Sequence, residues 1–306
     1  MTSIPMKIGV QLPEVEFDYS WSELSRMAML AESSGFDSIW LGDHLMYRDA
    51  NPDVPPTGPY EAWTTLAALA AVTRRAQLGP LVASLGFHNP AMIAKMAATI
   101  DQISNGRFIL GIGSGWNRAE YLGYGFPYDR RVDRFEESFA VIRQFLETGA
   151  CTYSGEFFEI ENGLLFPKVV RKSGPPMMVG SHGKRMLSIT LPHVQMWNAW
   201  FADYDNDRAR LPQLLAKIET ACELVDRDPA TLEKTICPLI TLRNGDSQAS
   251  TGRSPATLIR GNDPAALVEE FNAYAELGIA HLQLVLDPIT EASIEQVARS
   301  IEIYRR

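Results

Sequence analysis

The sequence of 306 residues has few cysteines and no long apolar segment. Its three cysteines, Cys151, Cys222 and Cys237, contain no Cys-x-x-Cys pair, which argues against a zinc ribbon or a thioredoxin-like redox site. Since three is an odd number, a complete disulfide framework is excluded, and we expect reduced thiols and a cytoplasmic protein. No uncharged apolar run reaches the ~18 residues of a membrane span, and the N-terminal residues do not resemble a secretory signal.

Positive charge is also scarce. The chain has 28 Lys and Arg against 37 Asp and Glu, a formal net charge of −9, and it has no basic run. We therefore expect neither nucleic acid nor an anionic membrane surface as the main partner. The 46% of hydrophobic residues excludes a disordered chain, because such chains are poor in apolar residues.

Several standard motifs are missing. Gly111, Gly113 and Gly115 alternate, but Trp116 or Arg118 stands where a dinucleotide-binding fingerprint needs its third small residue. The sequence has no phosphate loop of the Gly-x-x-x-x-Gly-Lys-Ser/Thr type, which disfavours a nucleotide triphosphatase. It also has no Gly-x-Ser-x-Gly elbow, so an α/β-hydrolase is not supported. The histidines show no metal-ligand spacing, and no metal site is predicted.

What the sequence does contain is a regular alternation of strand-like and helix-like segments. The eight predicted strands are Lys7–Leu12, Ser38–Gly42, Gln77–Ala83, Arg107–Ile112, Met177–Gly180, Val194–Trp200, Ile236–Leu242 and His281–Leu286. The predicted helices lie around Trp21–Ala31, Glu61–Thr73, Ala91–Ile103, Phe135–Leu146, Lys184–Leu191, Leu211–Val225, Pro264–Leu277 and Ile294–Tyr304. Repeated strand–helix units predict a parallel sheet. Eight of them, with no break in composition, predict one closed (β/α)8 TIM barrel that forms a single domain over residues 1–306.

Three long segments do not fit the minimal strand–helix unit. They are Ala50–Tyr60, Cys151–Pro176, which contains a hairpin-like stretch at Tyr153–Ile160, and Arg243–Asn262. Long loops in compact domains usually have a function. We therefore expect insertions at the C-terminal ends of the strands that shape a substrate pocket.

The residues that follow each strand are the candidate site, because a closed barrel carries its active site at that end. Asp43 and His44 follow the second strand and suit a general acid/base pair, since histidine titrates near neutrality. A purely structural pair remains the alternative. The glycines from Gly111 to Gly115 would let a planar ligand approach the backbone, or they form a tight turn.

The turn Gly180–Arg185 joins the fifth strand to a helix. Exposed amide groups at a helix N-terminus, together with the Ser181 hydroxyl, favour an anion such as a phosphate. The alternative is a polar helix cap with solvated charges.

These stretches together resemble the bacterial luciferase-like flavin monooxygenase superfamily, specifically its flavin- or coenzyme F420-dependent oxidoreductases. The segments that carry the resemblance are Lys7–Val10, Gly35–His44 (GFDSIWLGDH), Asn89–Thr99 (NPAMIAKMAAT), Gly106–Asn117 (GRFILGIGSGWN), Glu120–Tyr121 and Tyr124–Pro127. The chain departs from the family pattern at Met196–Asn198, where an acidic residue is missing. It also departs at Ser181, which replaces a glycine.

The resemblance implies a (β/α)8 barrel with an isoalloxazine-type ring across the strand ends. It implies a bulge behind the ring, often a non-prolyl cis peptide bond, near Pro80–Ala83. His44 would act in proton transfer, and Asp43 would fix His44 or touch the cofactor. The implied cofactor-binding residues are Asp43, His44, Leu81, Val82, Ala83, Gly113, Ser114, Gly115, Trp116, Gly180, Ser181, His182, Gly183 and Lys184.

The leading hypothesis is an oxidoreductase that uses coenzyme F420, or alternatively reduced FMN, for hydride transfer to a small organic substrate or for its monooxygenation. Dependence on FMN would require a partner reductase, and the family leads us to expect a homodimer. Lys184, Arg185, Arg253 and Arg260 are candidates to hold the anionic tail of F420. The side chains that could line an apolar pocket are Trp63, Phe87, Trp116, Trp197 and Trp200, unless they are barrel core. The other hypotheses are a non-catalytic flavin-binding barrel and a metal-dependent hydrolase.

Overall fold

The computed structural model describes residues 5–48, 51, 53–242 and 258–306. In chain order its strands are β1 (Lys7–Gln11), β2 (Ser38–Leu41), β3 (Gln77–Pro80), β4 (Ala83–Ser84), β5 (Leu110–Gly113), β6 (Ala150–Ser154), β7 (Glu159–Leu164), β8 (Met177–Val179), β9 (Met196–Trp200), β10 (Glu233–Cys237), β11 (Leu239–Thr241), β12 (Ile259–Arg260) and β13 (Ile279–Asp287). Its α-helices are α1 (Trp21–Ser33), α2 (Ala62–Val72), α3 (Pro90–Ser104), α4 (Arg118–Gly123), α5 (Arg131–Thr148), α6 (Lys184–Thr190), α7 (Leu211–Glu223), α8 (Pro264–Glu276) and α9 (Glu291–Tyr304).

The chain divides into two compact units, and the prediction of a single domain over residues 1–306 stays a prediction. The described residues of the first unit fall within Met1–Trp40, Arg75–Gln77 and Gly180–Arg306. Those of the second unit fall within Leu41–Arg74 and Leu78–Val179. No helix in the described part of the chain is long and apolar enough to cross a membrane.

The first unit is built on parallel strands in the order β2-β1-β13-β10-β9, and β11 pairs in parallel with β12 and β13. Lys7 is in register with His281, and Gly9 with Ser38. A Cβ atom on Gly9 would lie 1.9 Å from Ser38 Oγ, so only glycine fits there. Ser38 Oγ accepts a hydrogen bond from Trp40 Nε1 at 2.7 Å and lies 2.7 Å from His281 Nε2. These buried polar atoms satisfy one another.

The second unit contains the parallel strands β4, β5 and β8 and the antiparallel hairpin β6–β7. The predicted strand Gln77–Ala83 divides into β3 and β4. Between these two strands lies a cis peptide bond from Leu81 to Val82, at the place where the family resemblance implied one. Gly111 of β5 approaches this segment so closely that a Cβ atom would lie 2.2 Å from Pro80 O.

The ends of the helices follow from local chemistry. Asn89 accepts a hydrogen bond from Ala91 N, Pro90 occupies the first turn of α3, and Asn105 ends that helix in the left-handed conformation.

The helices start and end within a few residues of their predicted bounds, except that α5 begins at Arg131, before the apolar periodicity that starts at Phe135. Helix α4 and strand β12 were not predicted. Most of the predicted insertion Arg243–Asn262, residues 243–257, lies outside the described residues.

Candidate active site

The candidate acid/base residues lie in the second unit, directly after strand β2. Asp43 is only 3% exposed, and its Oδ2 accepts a hydrogen bond from Ser84 N at 2.8 Å. Its Oδ1 is also buried, and it has no hydrogen-bond partner among the residues that the structure describes. A buried oxygen of this kind usually has a water or a ligand as its partner.

His44 pairs with Glu120, a residue of α4 to which the sequence analysis assigned no role. His44 Nδ1 lies 3.1 Å from Glu120 Oε2 and 3.2 Å from Oε1. Leu45 N donates a 2.6 Å hydrogen bond to Glu120 Oε1, so the carboxylate also holds the loop that carries His44. The two residues are 76 positions apart, and their pairing requires the start of α4 to lie against the loop after β2.

The charge of Glu120 follows from its hydrogen bonds. Glu120 is 1% exposed, and burial by itself would raise its pKa. The hydrogen bonds from His44, Leu45 N and Met46 N outweigh burial and hold the pKa of Glu120 below its ordinary value. An ionised carboxylate can only accept, so Nδ1 of His44 carries a hydrogen, and the basic lone pair of the neutral ring is on Nε2.

Aromatic rings surround the imidazole of His44. The centroid of Tyr47 lies 4.7 Å from that of His44, and Trp116 meets the imidazole edge-on at 5.8 Å. Trp116 is 66% exposed, so its ring borders solvent beside the histidine. An exposed tryptophan at this position is available for contact with a planar ligand.

Gly115 is required by packing. It has φ +72°, and a Cβ atom there would lie 2.3 Å from Tyr121 Oη and 2.4 Å from Ser84 Oγ. The hydroxyl group of Tyr121 donates to Ser114 O at 2.8 Å and lies 2.8 Å from Ser84 Oγ. Packing and the left-handed φ therefore account for a glycine at this position, and the contact of Gly113, Ser114 and Gly115 with a cofactor stays a prediction.

Asp43, Glu61 and His88 form a second group, which the sequence spacing did not indicate. Each brings one donor atom within 4.8 Å of the other two. Glu61 caps α2, where its carboxylate accepts from Trp63 N at 2.9 Å and Thr64 N at 2.8 Å. His88 Nε2 is buried, and the structure describes no hydrogen-bond partner for it.

The environment of Asp43 raises the pKa of its carboxyl group. Burial raises the pKa of Asp43 to about 7. The hydrogen bond from Ser84 N opposes that shift, the negative charges of Glu61 and Glu120 add to it, and the nearby His44 opposes it. Burial also lowers the pKa of His88. Shifted titrations of this kind are frequent at functional sites.

The predicted phosphate turn lies in the first unit. Gly183 precedes α6 without a side-chain cap, and Ser181 Oγ accepts from Gly183 N at 3.3 Å. Ser181 O accepts from Trp197 Nε1 at 2.7 Å, and His182 Nδ1 lies 3.5 Å from Asp203 Oδ1. The binding of a phosphate by Gly180, Ser181, His182, Gly183 and Lys184 stays a prediction.

The remaining residues that were predicted to contact a cofactor or substrate differ in how far they are buried. Leu81 and Val82, which form the cis peptide bond, are half-buried, and Ala83 is buried. The rings of Trp63, Phe87 and Trp197 are almost fully buried, as expected of core residues. Arg260 is exposed on β12, and Arg253 lies outside the described residues. The contact of Leu81, Val82 and Ala83 with a cofactor stays a prediction.

Comparison with known proteins gives a consistent picture. The sequence profile of the family described as luciferase-like monooxygenase matches residues 2–296. The chain is 34% identical over 185 residues, 60% of its length, to 5,10-methylenetetrahydromethanopterin reductase of Archaeoglobus fulgidus. The matched region covers 50% of the length of this curated relative.

Two solved structures share the fold. One is an F420-dependent secondary alcohol dehydrogenase in complex with an F420–acetone adduct, with a TM-score of 0.81, 19% identity and coverage of 99% of this chain and 100% of that one. The other, with FMN bound, is the oxygenating constituent of 3,6-diketocamphane monooxygenase from the CAM plasmid of Pseudomonas putida, with a TM-score of 0.72 and 17% identity over 96% of this chain and 97% of that one. This likeness confirms the predicted α/β fold class, a (β/α)8 TIM barrel.

Proposed function

This chain belongs to the luciferase-like monooxygenase family, and we propose that it is an oxidoreductase that uses coenzyme F420 to transfer a hydride to or from a small organic substrate. The observation that carries the proposal is the pair formed by His44 and the buried Glu120. Support for F420 comes from the likeness to the F420-dependent alcohol dehydrogenase.

The residues of the second unit fit a planar, polar ring. Asp43 Oδ1 is a buried polar atom that lacks a partner within the described structure, and a polar ring atom would satisfy it. The cis peptide bond from Leu81 to Val82 and the segment from Gly113 to Trp116 are the backbone elements that we assign to the ring. A bound F420 would supply the hydride chemistry, and the protein would supply orientation and proton transfer.

The role that we assign to His44 is proton transfer at Nε2. In one direction, Nε2 would accept the proton of a substrate hydroxyl group, and in the reverse direction it would return the proton to a carbonyl oxygen. Glu120 positions the ring through Nδ1 and stabilises the imidazolium when it forms. Asp43, which bonds to Ser84 N and not to His44, is assigned to the cofactor.

A two-component monooxygenase that uses reduced FMN is the second candidate. The likeness to the FMN-bound oxygenating constituent of 3,6-diketocamphane monooxygenase favours it. In that case a partner reductase would supply the reduced flavin. The cytoplasmic location and the homodimer stay predictions under either candidate.

The test is a side-by-side titration of the purified protein with F420 and FMN, followed by turnover of His44→Ala. Tight binding of F420 with weak binding of FMN supports the proposal, whereas the reverse supports the monooxygenase. We expect His44→Ala to lower turnover about 10²- to 10⁴-fold, the usual contribution of acid/base catalysis, with little change in the cofactor Kd. His193→Ala, which changes an exposed histidine of the first unit, is the matched control. Unchanged turnover in His44→Ala would contradict the catalytic role.

A further inference from the structure

We infer that Asp43, in its cluster with Glu61 and His88, carries a proton, so that it presents a carboxylic acid O–H, and not a carboxylate, to the molecule that binds beside His44. The inference rests on the proposed function for the identity of that molecule. It adds to that function a defined protonation state and a hydrogen-bond donor.

The two carboxyl groups lie close together. Oxygen atoms of Asp43 and Glu61 and a ring nitrogen of His88 lie within 4.8 Å of one another, and Asp43 is almost completely buried. A buried carboxyl group this close to a second one is disfavoured in its ionised form.

The hydrogen bonds of the two carboxyl groups differ. Glu61 caps α2 and accepts from Trp63 N, Thr64 N and Thr64 Oγ1, with the last bond 2.6 Å long. Both of its oxygens therefore serve as acceptors at the positive end of the helix. Asp43 accepts one described bond, from Ser84 N, and its Oδ1 has no described partner. The proton therefore resides on Asp43.

Negative charge faces Asp43 from its surroundings. Glu61 on α2 and Glu120 on α4 disfavour its ionised form, and among the described residues His44 opposes them when its ring is protonated. The hydroxyl group of Tyr121, also on α4, is held neutral because burial raises its pKa. His88 is no counter-ion, because burial lowers its pKa and favours the neutral ring. The same surroundings raise the pKa of Asp43 to about 7.

The consequence is a preference for one kind of ligand. A protonated Asp43 donates a hydrogen bond to a carbonyl oxygen or to an electron-rich ring nitrogen, whereas its carboxylate would repel such an atom. The pyrimidine part of a flavin or deazaflavin offers acceptors of this kind. Binding should therefore weaken as the pH rises above 7 and Asp43 loses its proton.

The decisive measurement is carbon-13 NMR of the carboxyl groups in protein with labelled aspartate and without cofactor. We expect one resonance to titrate between about pH 6 and 8, to vanish in Asp43→Asn, and to titrate at lower pH in Glu61→Gln, since removal of the neighbouring charge makes ionisation easier. Asp101→Asn is the matched control, because Asp101 is another buried aspartate of the second unit whose pKa burial raises. Titration of Asp43 below pH 5, or no change in Glu61→Gln, would overturn the inference.

Two further measurements complete the test. Wild-type protein should lose affinity for the cofactor several-fold between pH 6 and 8.5, whereas Asp43→Asn, whose amide donates at every pH, should show a flat profile. A stoichiometric metal ion that is lost in His88→Gln would also overturn the inference, because the three residues would then be a cation site. The NMR titration contains no cofactor, so its failure leaves the proposed function untouched. Failure of both F420 and FMN to bind would refute the proposed function alone.

Discussion

The change Glu120→Gln isolates the charge of the residue that positions His44. A glutamine keeps the size of the side chain and an oxygen that can accept from Leu45 N, where the carboxylate bond is 2.6 Å. It replaces one carboxylate oxygen by an NH₂ group, which cannot accept from His44 Nδ1. Oε1, which lies 3.2 Å from His44 Nδ1 and also accepts from Leu45 N, would remain as a neutral acceptor, so the variant loses the negative charge that holds the hydrogen on Nδ1 and stabilises the imidazolium.

The magnitude follows from what the proton transfer contributes. General acid–base catalysis supplies about 10²- to 10⁴-fold, so loss of the charge that supports Nε2 as the base should lower kcat by up to that factor, or up to about 3 to 5 kcal/mol of transition-state stabilisation. Because Glu120 is 1% exposed and also holds backbone N–H groups, stability must be measured in parallel. We expect the amide to preserve the fold and the cofactor affinity.

The assay is steady-state turnover of the loaded enzyme together with a cofactor titration. Glu137→Gln is the matched control, because Glu137 is another carboxylate of the second unit that accepts from backbone N–H groups, those of Glu156, Phe157 and Phe158, and its described partners do not include His44. We expect a large fall in kcat for Glu120→Gln alone, and this expectation has a clear refutation. It is refuted if Glu120→Gln turns over within about threefold of wild type while His44→Ala does not, a difference of under 1 kcal/mol.

Two predictions concern stability. Gly115→Ala should lower the free energy of unfolding in urea by about 3 kcal/mol, because a left-handed φ and a clash with the hydroxyl oxygens of Tyr121 and Ser84 add together. Gly125→Ala is the control: its φ is also positive but nothing lies near the new Cβ atom, so it should lose about 1 kcal/mol. Equal losses in the two variants would contradict the role of packing. Burial, with a smaller effect of the charge of Lys7, lowers the pKa of His281 from 6.5 to about 3, so its contribution to stability is complete above pH 6.5 and is lost as the pH falls toward 3. Wild-type protein should therefore lose up to about 1.4 kcal/mol per pH unit more than His281→Gln over that window, and parallel stability curves would contradict this.

Most of the fold could be predicted from the sequence because its signals are local. Strand β1 and helix α3 lie within two residues of their predicted bounds, since apolar periodicity, Pro90 and the Asn105-Gly106 stop act on their own neighbours. Helix α4 escaped prediction because its six residues are too few for a periodic pattern.

The site could be predicted only in part. His44 and Asp43 were indicated by their place after a strand, but Glu120 lies 76 residues from His44, and no local pattern reports that contact. The cis peptide bond from Leu81 to Val82 followed from family resemblance alone, because nothing in those side chains requires it. Long-range pairing and backbone geometry are fixed by tertiary packing.

Glu120 and Asp43, two of the buried carboxyl groups of the second unit, show why burial alone does not decide charge. Glu120 is 1% exposed and Asp43 is 3% exposed, yet their pKa values shift in opposite directions. Glu120 accepts from two backbone N–H groups and from His44, and these hydrogen bonds compensate its carboxylate for the loss of hydration. Asp43 accepts from one described N–H group and faces Glu61. We therefore expect Glu120 to hold His44 in position as a carboxylate while Asp43 keeps its proton. The pH dependence of turnover should change in Glu120→Gln, and the pH dependence of cofactor affinity should change in Asp43→Asn.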